Sequence, residues 1–144
     1  MELYVGGAFQ GKKEYVDDTY RDIKELKWCN AENCDEAALF DCDAVYNYHE
    51  LIRKQVLNGI DPEDKLCGLI DQNPDIIIVC DEVGCGVIPI DPKGRAYREA
   101  VGRCMCKAAS KADKVIRIIC GIGQVIMIYI LPCSAFGNTE LSKW

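Results

Sequence analysis

Two hydrophobic rhythms alternate along this chain: short unbroken apolar runs, and longer stretches in which apolar residues recur every three or four positions. The clearest run, Ile76-Ile77-Ile78-Val79-Cys80, is β-branched and bounded by turn residues, as expected of a strand buried on both faces. Glu2–Val5 predicts a first short strand, and Ala37-Ala38-Leu39-Phe40, ending in Asp41, a second. Val115–Cys120 predicts another, followed by a Gly-Ile-Gly turn and one more buried strand within the apolar tail that reaches Leu131. Between these runs, Lys12 to about Leu26 sets Tyr15, Tyr20, Ile23 and Leu26 on one helical face, and Trp28–Glu36 is polar and turn-rich. A helix from about Ala44 to Leu57 ends at Asn58-Gly59, one opened by Asp61-Pro62 stops near Asn73-Pro74, and Lys93–Lys111 predicts the last. Strands alternating with helices imply an α/β fold with a mainly parallel sheet flanked by helices, three layers in one domain over residues 1–144.

Composition narrows the function. A hydrophobic share of 49% with 28% charged residues is that of a soluble globular protein. A net charge of −6 argues against a sequence-independent nucleic-acid binder or a protein drawn to anionic membrane. The tail Val115–Leu131 is interrupted by Arg117, Gly121, Gly123 and Gln124, so it lacks the roughly 20 apolar residues of a membrane span. Ten cysteines without a Cys-x-x-Cys pair, beside a single histidine, lack the ligand spacing of a zinc finger. With Met1-Glu2-Leu3-Tyr4-Val5 running straight into glycine-rich sequence, no signal peptide is read, and reduced thiols in a cytoplasmic protein are expected.

Gly6-Gly7-Ala8-Phe9-Gln10-Gly11-Lys12 follows the first strand and precedes the first helix. It matches all but the last position of the phosphate-loop pattern Gly-x-x-x-x-Gly-Lys-[Ser/Thr], in which backbone N–H groups face phosphate oxygens and the lysine reaches the outer phosphates. The last position is Lys13 instead of a hydroxyl that would coordinate Mg²⁺. Residues 6–13 are thus the expected nucleotide-binding segment of a P-loop NTPase-like domain, taking ATP or GTP with Mg²⁺. Such enzymes also need a carboxylate at a neighbouring strand end. Asp41 and Asp81-Glu82 both qualify, and the pattern by itself does not choose between them.

The segment Glu82-Val83-Gly84-x-Gly86-x-x-Pro89, then Tyr97-Arg98-Glu99-x-x-Gly102-Arg103, Ala112-Asp113-Lys114-Val115 and Gly121-Ile122, resembles the C-terminal half of the adenosylcobinamide kinase/adenosylcobinamide-phosphate guanylyltransferase family. The N-terminal loop resembles that family's Gly-Gly-x-x-x-Gly-Lys-Ser, and Leu39-Phe40-Asp41-Cys42 its second acidic strand. The resemblance implies a cobalamin-biosynthetic transferase that moves a phosphoryl group from ATP or GTP to the aminopropanol hydroxyl of a corrinoid, adenosylcobinamide. Lys12 and Glu82 would be catalytic, Asp41 would hold Mg²⁺, and the chain would form a homo-oligomer. The alternative is a degenerate, non-catalytic nucleotide- or corrinoid-binding paralogue. The sequence departs from the family at Lys13, at Asp81 (family Asn) and at Cys104-Met105 (family Asn-Gln), and no histidine lies between Lys12 and Asp41 where the family carries its guanylylated nucleophile. The sole histidine, His49, is expected on a helix that carries it roughly 10 Å from Asp41, so guanylyl transfer is not expected.

Overall fold

The computed structural model describes residues 1–86 and 89–128. Six strands form one sheet in the order β2-β3-β4-β1-β5-β6: β1 Glu2–Gly6, β2 Trp28–Asn30, β3 Ala44–Tyr46, β4 Ile77–Asp81, β5 Lys114–Ile119 and β6 Ile122–Ile128. The first five in that order are parallel, and β6 returns antiparallel along β5. Helices α1 Lys12–Tyr20, α2 Glu36–Phe40, α3 Tyr48–Leu57, α4 Pro62–Gln72 and α5 Pro92–Lys111 connect them.

The two-residue period of the strands builds two cores. Leu3, Ile78, Cys80 and Val115 point to one face and pack with Tyr48 and Ile52 of α3, Leu66, Leu69 and Ile70 of α4, and Ala100, Val101 and Cys104 of α5. Tyr4, Ile77, Val79, Ile116 and Ile118 point to the other and pack with Val16 of α1. This is the expected three-layer α/β arrangement. The helix start expected at Asp61-Pro62 holds, with Asp61 accepting from Glu63 N–H at 2.9 Å, and α5 starts one residue before the expected Lys93, with Asp91 accepting from Gly94 N–H at 3.0 Å.

Three expectations are corrected. Ala37–Phe40 is not a strand but lies in helix α2, whose N-cap Asp35 accepts from Ala38 N–H at 2.8 Å; alanine and leucine are helix formers, and no β-branched residue opposes them. The second acidic strand end is therefore absent at Asp41. The helix expected from Ala44 begins only at Tyr48, because Ala44-Val45-Tyr46 is β3. The tail's last strand, expected to be buried, is the edge strand β6, with Ile122, Val125, Ile126 and Ile128 exposed. Among the described residues, no helix is long and apolar enough to cross a membrane.

The hairpin joining β5 to β6 turns at Cys120 and Gly121, whose φ values of 51° and 75° suit a type I′ turn. This turn is tied to the glycine-rich loop: Gln10 O accepts from Gly121 N–H at 2.8 Å, and Gln10 Oε1 accepts from Cys120 N–H at 2.6 Å.

Candidate functional site

Parallel strands bring their C-terminal ends to one edge, where α/β folds bind ligands. Gly6 ends β1 there, with Asp81 at the end of β4 on one side and Ile118 of β5 on the other. A Cβ at Gly6 would collide with the carbonyl oxygen of Ile118, so only glycine lets the two backbones approach this closely. The chain then turns through Gly7–Gly11 into α1, whose N-cap Gly11 has φ 76°.

Lys12 is the central group of this edge. It is 8% exposed, and its Nζ donates to Gly7 O at 2.6 Å and lies 2.7 Å from Asp81 Oδ1. A cleft of about 440 Å³ opens beside it, lined by Ala8, Phe9, Gln10, Gly11, Lys12 and Lys13 from the loop, and by Asn47, His49, Glu50 and Asp81 across from them. Gly6 and Gly7 shape the loop from below. Lys13 Nζ turns away to lie 2.8 Å from Asp17 and 4.7 Å from the centre of the Trp28 ring. Burial would raise the Asp17 carboxyl, but the hydrogen bonds from Lys13 and the Trp28 indole outweigh it and hold Asp17 below the usual carboxylate range. Lys13 thereby anchors α1 to β2.

His49 stands in the cleft, which sequence reasoning missed. Strand β3 ends at Tyr46, and Asn47, at φ 56°, turns the chain sharply into α3; asparagine tolerates this left-handed backbone. His49 therefore sits in the first turn of α3 at the ligand edge. Its Nδ1 accepts from Asp81 N–H at 3.3 Å, while Nε2 lies 3.6 Å from Glu50 Oε1 and 3.8 Å from Asp81 Oδ2. The signal that could have revealed it was the apolar triplet Ala44-Val45-Tyr46 followed by asparagine.

The structure separates Asp41 from this constellation. Asp41 precedes β3, at the opposite edge of the sheet, where its exposed carboxylate pairs with Lys27. Asp81, at the C-terminal end of the strand beside β1, is instead the carboxylate next to Lys12. Lys12 holds one of its oxygens, and the other faces the imidazole beside Glu50. Among the described residues, no three His, Cys, Asp or Glu side chains are grouped to ligate a metal. Two carboxylates, Asp81 and Glu50, line the cleft beside the glycine-rich loop, a donor set compatible with Mg²⁺, which takes one or two protein carboxylates and completes its shell with phosphate oxygens and water.

Glu82 is held elsewhere. Its carboxylate accepts two hydrogen bonds from Arg117, at 2.8 and 2.9 Å, and its N–H donates to Gly6 O at 2.9 Å. This pairing raises the Arg117 pKa still further above neutrality. Glu82 lines a second hollow of about 310 Å³ with Val5, Val83, Arg98 and Met105, and Asp81 borders both that hollow and the phosphate-loop cleft.

A glycine-rich loop between β1 and α1, an invaginated lysine and a carboxylate on the adjacent parallel strand define the phosphate-loop class of α/β domains. Residues 7–126 match the cobinamide kinase / cobinamide phosphate guanyltransferase family, and the chain belongs to it. The family's enzymes are transferases of cobalamin biosynthesis. No curated protein matches the chain.

Proposed function

We propose that the protein transfers a phosphoryl group from ATP or GTP to the aminopropanol hydroxyl of a cobinamide-type corrinoid. The observation that carries this reading is Lys12, nearly buried between Gly7 O and Asp81 at the mouth of a cleft large enough for a nucleotide. Backbone N–H groups of residues 7–13 and the Lys12 ammonium would bind the phosphates and neutralise charge as it builds on them. Asp81 and Glu50 would hold Mg²⁺, which would draw the outer phosphates into line and withdraw charge from them. In the transfer, the acceptor oxygen attacks the γ-phosphorus, the bond from that phosphorus to the β-bridging oxygen breaks, and nucleoside diphosphate leaves with its electrons. Glu82, whose carboxylate pairs with Arg117 beside the adjoining hollow, would accept the hydroxyl proton from an acceptor seated there.

His49 bears on the family's second reaction. Because Nδ1 accepts from the Asp81 N–H, a neutral imidazole carries its proton on Nε2, the nitrogen that faces the cleft. In that tautomer Nε2 has no lone pair free to attack phosphorus, so His49 would act as a hydrogen-bond donor unless Glu50 or Asp81, 3.6 and 3.8 Å away, first took its proton. This favours kinase chemistry without a guanylylated intermediate.

Thermal shifts with ATP, GTP and their diphosphates, each with and without Mg²⁺ and cobinamide, test the binding half of this reading, and transfer of label from γ-labelled nucleotide to cobinamide tests the chemistry. Stabilisation without transfer would mean a non-catalytic binder. The absence of any nucleotide-induced shift would refute the site.

A further inference from the structure

Phe9 is unfavourably placed for a folded protein considered alone. Its φ of 57° puts a bulky aromatic residue in the left-handed region, where glycine and asparagine are usual. Its ring is fully exposed and packs into neither core. Yet it stands on the rim of the cleft that holds Lys12, His49 and Asp81. The conformation is held from its C-terminal side: the next residue, Gln10, is clamped to the β5–β6 turn through its carbonyl and its side chain, and Gly11 caps α1. Tyr46 lines the same cleft, but the Trp28 ring meets it edge-on at 5.9 Å between centroids. Phe9 thus offers the cleft a bare ring face on a rigidly held loop. Strained backbone and exposed apolar surface that coincide at a site are features a ligand can use.

We infer that Phe9 is a specificity-determining platform for a ring of the bound substrate, stacking on a planar purine base or making apolar contact with the puckered, methyl-bearing corrin. The inference rests on the phosphate-binding reading of the loop and adds to it a contact that phosphates cannot supply. Stacking on an aromatic side chain changes affinity by about tenfold or more.

Calorimetric titration in Mg²⁺ buffer compares wild type, Phe9→Ala, Phe9→Gly and Phe9→Tyr against three probes: GTP, inorganic tripolyphosphate and cobinamide. Glycine relieves the left-handed strain, so Phe9→Gly should melt no lower than wild type. The expected result is a loss of about tenfold or more for a ring-bearing probe in Phe9→Ala and Phe9→Gly, unchanged binding of tripolyphosphate, and recovery in Phe9→Tyr. A loss confined to GTP assigns the ring face to the base, and a loss confined to cobinamide assigns it to the corrin. If tripolyphosphate binds while both ring-bearing probes ignore the substitutions, the platform is overturned and the phosphate site stands. A parallel loss of tripolyphosphate also overturns it, because the loop itself would then have been damaged. If no probe binds the wild-type protein, the phosphate-site reading and the inference fall together.

Discussion

Replacing Lys12 with alanine should separate the two tasks that its ammonium performs. In the free protein Lys12 Nζ bridges Gly7 O and Asp81 Oδ1 at 2.6 and 2.7 Å, with the side chain almost wholly buried. Truncation leaves the Asp81 carboxylate without its cation. Asp81 is still partly solvated, so water recovers some of the loss and the cost should be about 1–3 kcal/mol. Adding Asp81→Asn removes the orphaned charge, and the double variant should be more stable than the sum of the two singles implies. Ligand binding should lose a charge-assisted contact to phosphate, weakening GTP by at least tenfold, or about 1.4 kcal/mol. At a GTP concentration of about 100 times the wild-type Kd, ligand stabilisation should fall from about 2.7 to about 1.4 kcal/mol. Calorimetric titration gives the affinity, and denaturant melts with and without GTP–Mg²⁺ give the stability. Equal GTP affinity for wild type and Lys12→Ala would refute the reasoning, whatever happened to stability.

The two aspartates should rank opposite to the sequence expectation: Asp81→Asn should abolish the Mg²⁺ dependence of nucleotide binding, while Asp41→Asn, at the far edge of the sheet, should leave it unchanged in titrations with and without the metal. Incubation with α-labelled GTP should leave no acid-labile label on the denatured protein, and a labelled band that disappears in His49→Ala would show that the imidazole does attack phosphorus. Gly6→Ala should cost about 1–3 kcal/mol in a urea melt, because the collision is with backbone and no rotamer relieves it. Burial, helped by the neighbouring Cys34 thiol, pushes Cys29 up to about 12, and burial near Glu63 does the same to Cys104. Folded pKa values above the ordinary 9.0 mean that these thiols favour the folded state below that pH, so stability should fall as pH rises from about 9 towards 12. Alkaline melts would check this.

The central strands and the loop were legible because each rests on a strong local signal. Ile77–Asp81 is an uninterrupted apolar run closed by a carboxylate, and Gly6–Lys12 has glycines where the backbone crowds Ile118 or turns left-handed. The sheet's β2-β3 side was not legible. Trp28–Asn30 and Ala44–Tyr46 are three-residue strands, too short for a period to emerge, and β3 runs into α3 with a single residue between them. Reading that strand too early, at Ala37–Phe40, put Asp41 at a strand end and set His49 on a helix leading away from it, whereas β3 ends at Tyr46 and brings His49 to the edge that holds Lys12 and Asp81. The Glu82–Arg117 pair was also beyond reach, since it joins β-strand ends whose proximity only the order β4-β1-β5 creates.

The position of β1 has a consequence for how the cleft comes into being. Synthesis produces β1 and its loop before either flanking strand, since Glu2 pairs with Ile77 on one side and with Lys114 on the other. The loop lacks the Asp81 carboxylate that pairs with Lys12 until β4 has been made, and the β5–β6 turn that clamps Gln10 comes later still. Closing such distant pairings is slow compared with forming local helices. The loop after β1 is thus made before its partners yet is among the last parts of the sheet edge to reach its final geometry. Under the proposed phosphate-binding role, nucleotide capture would report maturation, because a nascent chain that held nucleotide there would already have set β1 between its two later-made neighbours.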